Sequence, residues 1–94
     1  MKYMKVLWKT SAVDEPVLLY SELDDQGWER RKVEQYRDGS YGYSDATAIV
    51  RSMGLSLEPL PSLAEIAAQP EFEATEIAAQ EFEHTWLKAQ AANG

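Results

Sequence analysis

Hydrophobic and polar residues alternate along residues 1–9, where Met4, Val6 and Trp8 share one side of the pattern. A period of two predicts a β-strand, because successive side chains of a strand point to opposite faces of the sheet. The β-branched and aromatic content of the chain predicts three more strands, and Asp38-Gly39 predicts a hairpin between the last two. The result is an antiparallel meander over residues 1–45, with its later strands at Val17–Leu23, Trp28–Arg37 and Tyr41–Tyr43.

The pattern changes after residue 45, where the spacing of apolar residues becomes helical or irregular. Asp45 is expected to begin a short helix over Ala46–Met53, and Leu55–Leu57 to form a brief fifth strand. Ser62-Leu63-Ala64-Glu65 has the capping-box pattern, which predicts the start of a second short helix. Pro70 is expected to end that helix, since proline cannot continue the backbone hydrogen bonding.

A longer helix is predicted over about Thr75–Ala91, where four residues form one apolar stripe: Ala79, Phe82, Trp86 and Ala89. Phe82 and Trp86 are expected to pack against three residues of the meander, Val6, Trp8 and Leu19. The predicted fold class is therefore α+β: an antiparallel sheet of four or five strands with C-terminal helices packed on one face. Residues 1–94 are expected to form a single domain, with a β-meander in 1–45 and mainly helices in 46–94.

The chain is acidic, and its negative charge is unevenly placed. The net charge is −7 at pH 7, of which residues 46–94 contribute −5 and residues 1–45 contribute −2. An acidic surface repels nucleic acid and attracts basic proteins, so no nucleic-acid partner is expected. The chain contains no cysteine, which excludes disulfides and thiolate metal sites. With no apolar run long enough for a membrane span and no signal-peptide pattern, a cytoplasmic location without membrane contact is expected.

No set of residues in the sequence has the pattern of a catalytic or metal site. His84 is the only histidine, and no nucleophile motif accompanies it, so a surface position is expected. Asp24-Asp25-Gln26-Gly27 lacks the ligand spacing of a calcium loop and is explained by turn formation. Glu22 and Glu34 could form the carboxylate pair of a hydrolase, but cross-strand pairing with Arg31 or Lys32 is the preferred interpretation. The chain is therefore expected not to be an enzyme and to use no cofactor.

The segment from Tyr20 to Gly39 holds the candidate binding residues, because charged and aromatic side chains there occupy positions where a plain core hairpin has Val and Ile. Such a sheet could present a polar, aromatic open face. A protein-binding module is the leading hypothesis, and a small-ligand-binding or enzymatic domain using the same face is the alternative. Alternation places Arg31 opposite Arg30 and Lys32, and it leaves open which face of residues 28–37 is core. The candidate binding residues are Tyr20, Glu22, Trp28, Arg31, Lys32, Glu34 and Tyr36.

The order of several short motifs resembles a family of small uncharacterised bacterial proteins, a domain of unknown function, over most of the chain. The resemblance implies no assigned chemistry. By analogy with other families of this size, it implies an immunity-type inhibitor that binds a basic toxin domain. The motifs that carry the resemblance are Asp14-Glu15-Pro16, Leu19-Tyr20-Ser21-Glu22-Leu23-Asp24, Arg31-Lys32-Val33-Glu34, Asp38-Gly39, Pro70-Glu71-Phe72-Glu73 and Glu81-Phe82-Glu83.

Overall fold

The first half of the chain forms the antiparallel meander that the alternation predicts. The computed structural model describes all of residues 1–94. Adjacent strands pair antiparallel in the order in which they occur along the chain. The strand bounds are β1 (Lys2–Trp8), β2 (Pro16–Leu23), β3 (Glu29–Tyr36) and β4 (Tyr41–Ser44).

The second half departs from the prediction at two places. Residues 46–53, predicted as a helix, instead contain a short strand, β5 (Ile49–Val50), which pairs with β4. Ile and Val also suit strands, so pairing with an available edge decides the outcome here. The strand predicted at residues 55–57 is not formed. Phe72–Glu76 forms another strand, β6, which lies beside β1 and was not predicted.

The six strands form one sheet in the order β5-β4-β3-β2-β1-β6, so β5 and β6 are its edges. Helix α1 spans Leu63–Ala67 and has the predicted capping box, in which the Ser62 side chain accepts from the backbone N–H of Glu65. Helix α2 spans Ala79–Ala92 and begins later than predicted because β6 precedes it. The α+β class is confirmed, with six strands in place of four or five.

One face of the sheet packs against α2, and we call it the helix face. Tyr20 and Val33 lie in its core together with Phe82, Trp86 and Ala89 of the helix. Tyr43 meets Trp86 edge-on, with 5.2 Å between ring centroids. The apolar stripe of α2 is therefore confirmed, but Phe82 and Trp86 do not pack against the residues that the sequence suggested. Val6, Trp8 and Leu19 belong to the opposite face.

The opposite face is covered by residues 51–60 and α1, and we call it the loop face. Its core contains Met4, Val6, Leu23 and Ile66 of α1. Phe72 of β6 and Leu60 pack beside this cluster. The expectation of one open polar face is therefore wrong, because the sheet carries a core on both sides. The short helix and the loop before it cover the side that was expected to be open.

Candidate binding surface and the buried charges beneath it

The seven candidate residues of the hairpin do not form one surface. Three of them lie beneath α2 on the helix face: Tyr20, Glu22 and Arg31. Three others lie on β3, at positions whose side chains point to the loop face: Lys32, Glu34 and Tyr36. Trp28, just before β3, is 42% exposed and is the most accessible of the seven.

On the helix face, Arg31 joins the sheet to α2. Its guanidinium donates to both oxygens of Glu22, at 2.8 and 2.7 Å, and to both oxygens of Glu83 on the helix. The same group lies over the rings of Phe82 and Trp86, 4.9 and 5.1 Å from their centroids. The predicted cross-strand pairing of Glu22 with Arg31 is confirmed.

These contacts shift the titration of the groups involved. Hydrogen bonds from Arg31 hold the pKa of the Glu22 carboxyl below its usual range, although burial opposes the shift. Arg31 lowers the pKa of Glu83 in the same way. Burial raises the pKa of the nearby Tyr20 phenol. Because the Arg31 guanidinium bonds to carboxylates of both elements, the network fastens α2 to the sheet, with only the Glu83 side chain largely exposed.

On the loop face, three charged side chains of β3 hold the backbone of the covering loop. The Glu34 carboxylate accepts from the N–H of Met53 at 3.2 Å, and the Lys32 ammonium donates to the carbonyl of Gly54 at 3.2 Å. Glu29 accepts from the N–H of Ser56 at 2.9 Å. The loop therefore runs antiparallel to β3 above it, and each contact gives a backbone group of the loop a hydrogen-bond partner.

Glu34 is the most enclosed of these groups, with 0% of its surface exposed. Its second oxygen, Oε2, accepts no hydrogen bond and lies 3.6 Å from the Lys32 ammonium. An enclosed charge is costly unless it is paired, and Lys32 supplies that pairing. Cross-strand pairing was predicted for Glu34 as for Glu22, and for Glu34 this is wrong, because its partner Lys32 lies two residues away on the same strand.

A bulge in β3 brings Glu29 to the loop face. Glu22 pairs with Arg31, but the next residue of β2, Leu23, pairs with Glu29, so one residue of β3 is skipped. A bulge of this kind inverts the alternation beyond it. Without it, Glu29 would share the helix face with Arg31. With it, the Glu29 carboxylate also accepts from the Ser21 hydroxyl at 2.6 Å.

The loop starts at a close approach between two backbones. A Cβ atom at Gly42 of β4 would lie 2.0 Å from the carbonyl oxygen of Arg51, which only glycine avoids. Arg51 itself has a φ of 50°, in the left-handed region that is unfavourable for its side chain. The turn after β5 is therefore strained, and it directs the chain back over β3.

The outer side of this region carries large apolar side chains. Met53 is 74% exposed and Leu57 is 92% exposed, although the backbone between them is held by β3. Ile49 on the edge strand β5 is 66% exposed, and its Cδ1 lies against Gly54. Trp28 lines an open cleft together with Leu55 of the loop. We call the four exposed side chains, Trp28, Ile49, Met53 and Leu57, the loop surface.

Comparison with protein families gives one assignment. The family described as "Domain of unknown function (DUF6881)" matches residues 2–91. The chain belongs to this family. No curated protein and no solved structure gave a match. The match confirms the resemblance to an uncharacterised domain family. The matched residues include all six strands, the covering loop and nearly all of α2.

Two further observations concern the whole domain. None of its helices combines the length and the apolar character that a bilayer crossing requires. No three side chains of His, Cys, Asp or Glu type come close enough together to hold a metal ion. His84 lies exposed on α2, as expected.

Sequence reasoning missed most of the loop surface. The pattern of residues 46–53 predicts a helix, whereas the structure has β5 there and exposes the side chains of Ile49 and Met53. Leu57 was placed in a strand. A signal was present in the run from Gly54 to Pro61, where one glycine and two prolines surround an alternation of only two leucines. Such a run predicts a loop, and large apolar residues in a loop are candidates for binding.

Proposed function

We propose that this DUF6881 domain is a non-catalytic protein-binding module and that the loop surface contacts its partner. The observation that carries the proposal is that three charged side chains of β3 hold a loop whose outer side chains are apolar. Enclosing Glu29, Lys32 and Glu34 has a desolvation cost. Because these side chains already hold the loop, it loses little conformational entropy when it binds, which favours affinity.

The composition of the loop surface suits a protein interface. Trp and Met are enriched in the cores of interfaces, and tryptophan is frequent among residues that dominate binding energy. Single exposed apolar residues are common and need no explanation. Here four of them lie on one loop, its adjoining edge strand and the neighbouring turn, where Leu60 donates to the carbonyl of Gly27 at 2.9 Å. This grouping supports a docking role for the loop surface.

The charge of the domain indicates the chemistry of the partner. Residues 46–94, which include the loop, α1 and α2, carry a net charge of −5. A basic partner would be attracted over a distance of about 10 Å at moderate salt, and its association rate would fall as salt rises. We therefore propose a basic partner. Its specific form would be a toxin domain captured by an immunity-type inhibitor in a bacterial cytoplasm, which the small size and the acidity support.

The test is a comparison of two variants in partner binding. The double variant Met53→Ser/Leu57→Ser removes the two most exposed side chains of the loop surface, and substitution at such exposed positions is expected to leave the fold intact. Proteins retained from source-cell extract, and the product of the neighbouring gene, would be identified and purified. We expect the double variant to bind the identified partner about tenfold or more weakly, since anchor residues dominate interfaces.

Leu87→Ser is the matched control, because Leu87 is an equally large exposed side chain but lies on α2, away from the loop surface. It is expected to bind as the unmodified domain does. Equal loss of affinity in both variants, or no loss in either, would overturn the assignment of the loop surface. Failure to retain any protein from the extract or to bind the neighbouring gene product would overturn the protein-binding proposal itself.

A further inference from the structure

A cavity of about 250 Å³ lies on the loop face, between the covering loop and α1. The strands β1 and β2 form its floor, and the loop and the short helix form opposite walls. Its lining is apolar on one side, where Met4, Val6, Leu19, Ile66 and Phe72 meet. Most of its polar lining is at the wall next to β3, in Ser21, Glu29, Lys32 and Ser56, and one further polar residue, Gln69, follows α1.

We propose that this cavity binds a small, mostly apolar molecule that carries one hydrogen-bond donor, such as a bicyclic aromatic amine or indole. Ligand pockets typically combine an apolar lining with a few convergent polar groups, as this cavity does. The volume sets the size of the molecule, because an apolar cavity of about 150 Å³ accommodates benzene. A cavity of 250 Å³ accommodates a bicyclic ring system. The site is separate from the loop surface, which faces outward.

The polar wall determines which chemical group the ligand presents. Glu29 already accepts from the Ser21 hydroxyl and the Ser56 N–H, one bond to each oxygen. A carboxylate has about four acceptor positions, so each oxygen of Glu29 can accept one more bond. An N–H or O–H of a ligand placed against this wall would fill such a position.

The charge around the wall disfavours an anionic ligand. Of the residues that line the cavity, Glu29 contributes one negative charge and Lys32 one positive charge. The Lys32 ammonium is already in contact with the Gly54 carbonyl and with the enclosed carboxylate of Glu34, which lies behind the cavity lining. The unpartnered Oε2 of Glu34 shows that acceptors exceed donors beneath the loop. A carboxylate or phosphate in the cavity would face this excess of negative charge in a poorly solvated place. A neutral or cationic ligand with a hydrogen-bond donor would not be repelled in this way.

The experiment compares three probes by protein-observed NMR. Indole has the donor, 1-methylindole lacks it, and indole-3-carboxylate adds a negative charge. We expect indole to shift the amide resonances of residues around the cavity, and its protons to show nuclear Overhauser effects to the methyl groups of Met4 and Val6. We expect 1-methylindole to bind about tenfold or more weakly, because the buried acceptor is then left unpaired. Indole-3-carboxylate is expected to bind more weakly than indole as well.

A cavity-filling variant provides the control. Leu19→Phe places extra volume in the cavity and should abolish indole binding, whereas Leu87→Phe enlarges an exposed side chain and should leave it unchanged. Should Leu19→Phe fail to fold, the Overhauser effects in the unmodified domain locate the probe without it. Absence of indole binding, Overhauser effects to residues elsewhere, or equal affinity for 1-methylindole would overturn the proposal.

Discussion

The two faces of the sheet use the charged residues of one strand in different ways. On the helix face, Arg31 spans Glu22 and Glu83 and lies over two aromatic rings, so charge and apolar packing act together to hold a regular element. On the loop face, Glu29, Lys32 and Glu34 bind backbone groups of a segment that has no regular structure. Alternating charges on one strand can therefore build two separate supports, one for a helix and one for a loop without regular structure.

The largest expected effect is on the free energy of unfolding, and it tests the packing of the helix face. Trp86→Ala removes a large buried side chain from the helix face, where it contacts Phe82 and Tyr43. We expect the free energy of unfolding to fall by about 3–5 kcal/mol, as for other large aromatic truncations. Urea denaturation measures it. A loss below about 1 kcal/mol would mean that α2 contributes little to the core.

The second effect tests the support of the loop. Glu34→Ala leaves the Met53 N–H and the Lys32 ammonium without their partner, and we expect a loss of about 1–3 kcal/mol. Amide hydrogen exchange should show faster exchange at Met53, while the amides of α2 still report the global stability. Glu58→Ala changes an exposed carboxylate on the same loop and serves as the control. A Glu34→Ala domain as stable as the original would contradict the role given to this buried charge.

The smallest effect concerns pH and belongs to the helix face. Because Arg31 lowers the pKa of Glu22 and Glu83, their contribution to stability is fully present above the unfolded carboxyl pKa, near 4.3. It is lost as pH falls through the lowered values. Urea denaturation between pH 7 and pH 3 should therefore show falling stability at the acid end, with a shallower fall in Arg31→Gln. Arg30→Gln, at an exposed arginine 3.8 Å from Asp24, should keep the steeper fall. An unchanged slope in Arg31→Gln would assign the acid sensitivity to other carboxylates.

The meander was predictable because each strand has a local signal in its own residues. Alternation and turn residues lie within a few positions of one another, so β1 to β4 agree with the predicted ranges to within a residue or two. The capping box of α1 is local in the same way. The pairing of Glu22 with Arg31 was also predictable, since it follows from neighbouring strands.

The parts that were not predictable depend on contacts between distant residues. Phe72–Glu76 reads as helix-forming Ala and Glu sequence, but pairing with β1 makes it a strand. The bulge that turns Glu29 to the loop face follows from the register of β2 and β3 and has no local signal. The loop surface depends on that bulge, because its shape is set by side chains of β3 that lie 19 to 27 residues earlier in the chain.

The edges of the sheet have a consequence for association between copies of the domain. A free strand edge can recruit another strand and lead to aggregation, and natural proteins protect such edges with charges or with very short strands. β6 carries Glu73 and Glu76, and β5 is only two residues long. Both edges are therefore poor templates for a further strand. The domain can expose apolar side chains on its loop surface while its sheet edges resist fibril-like growth.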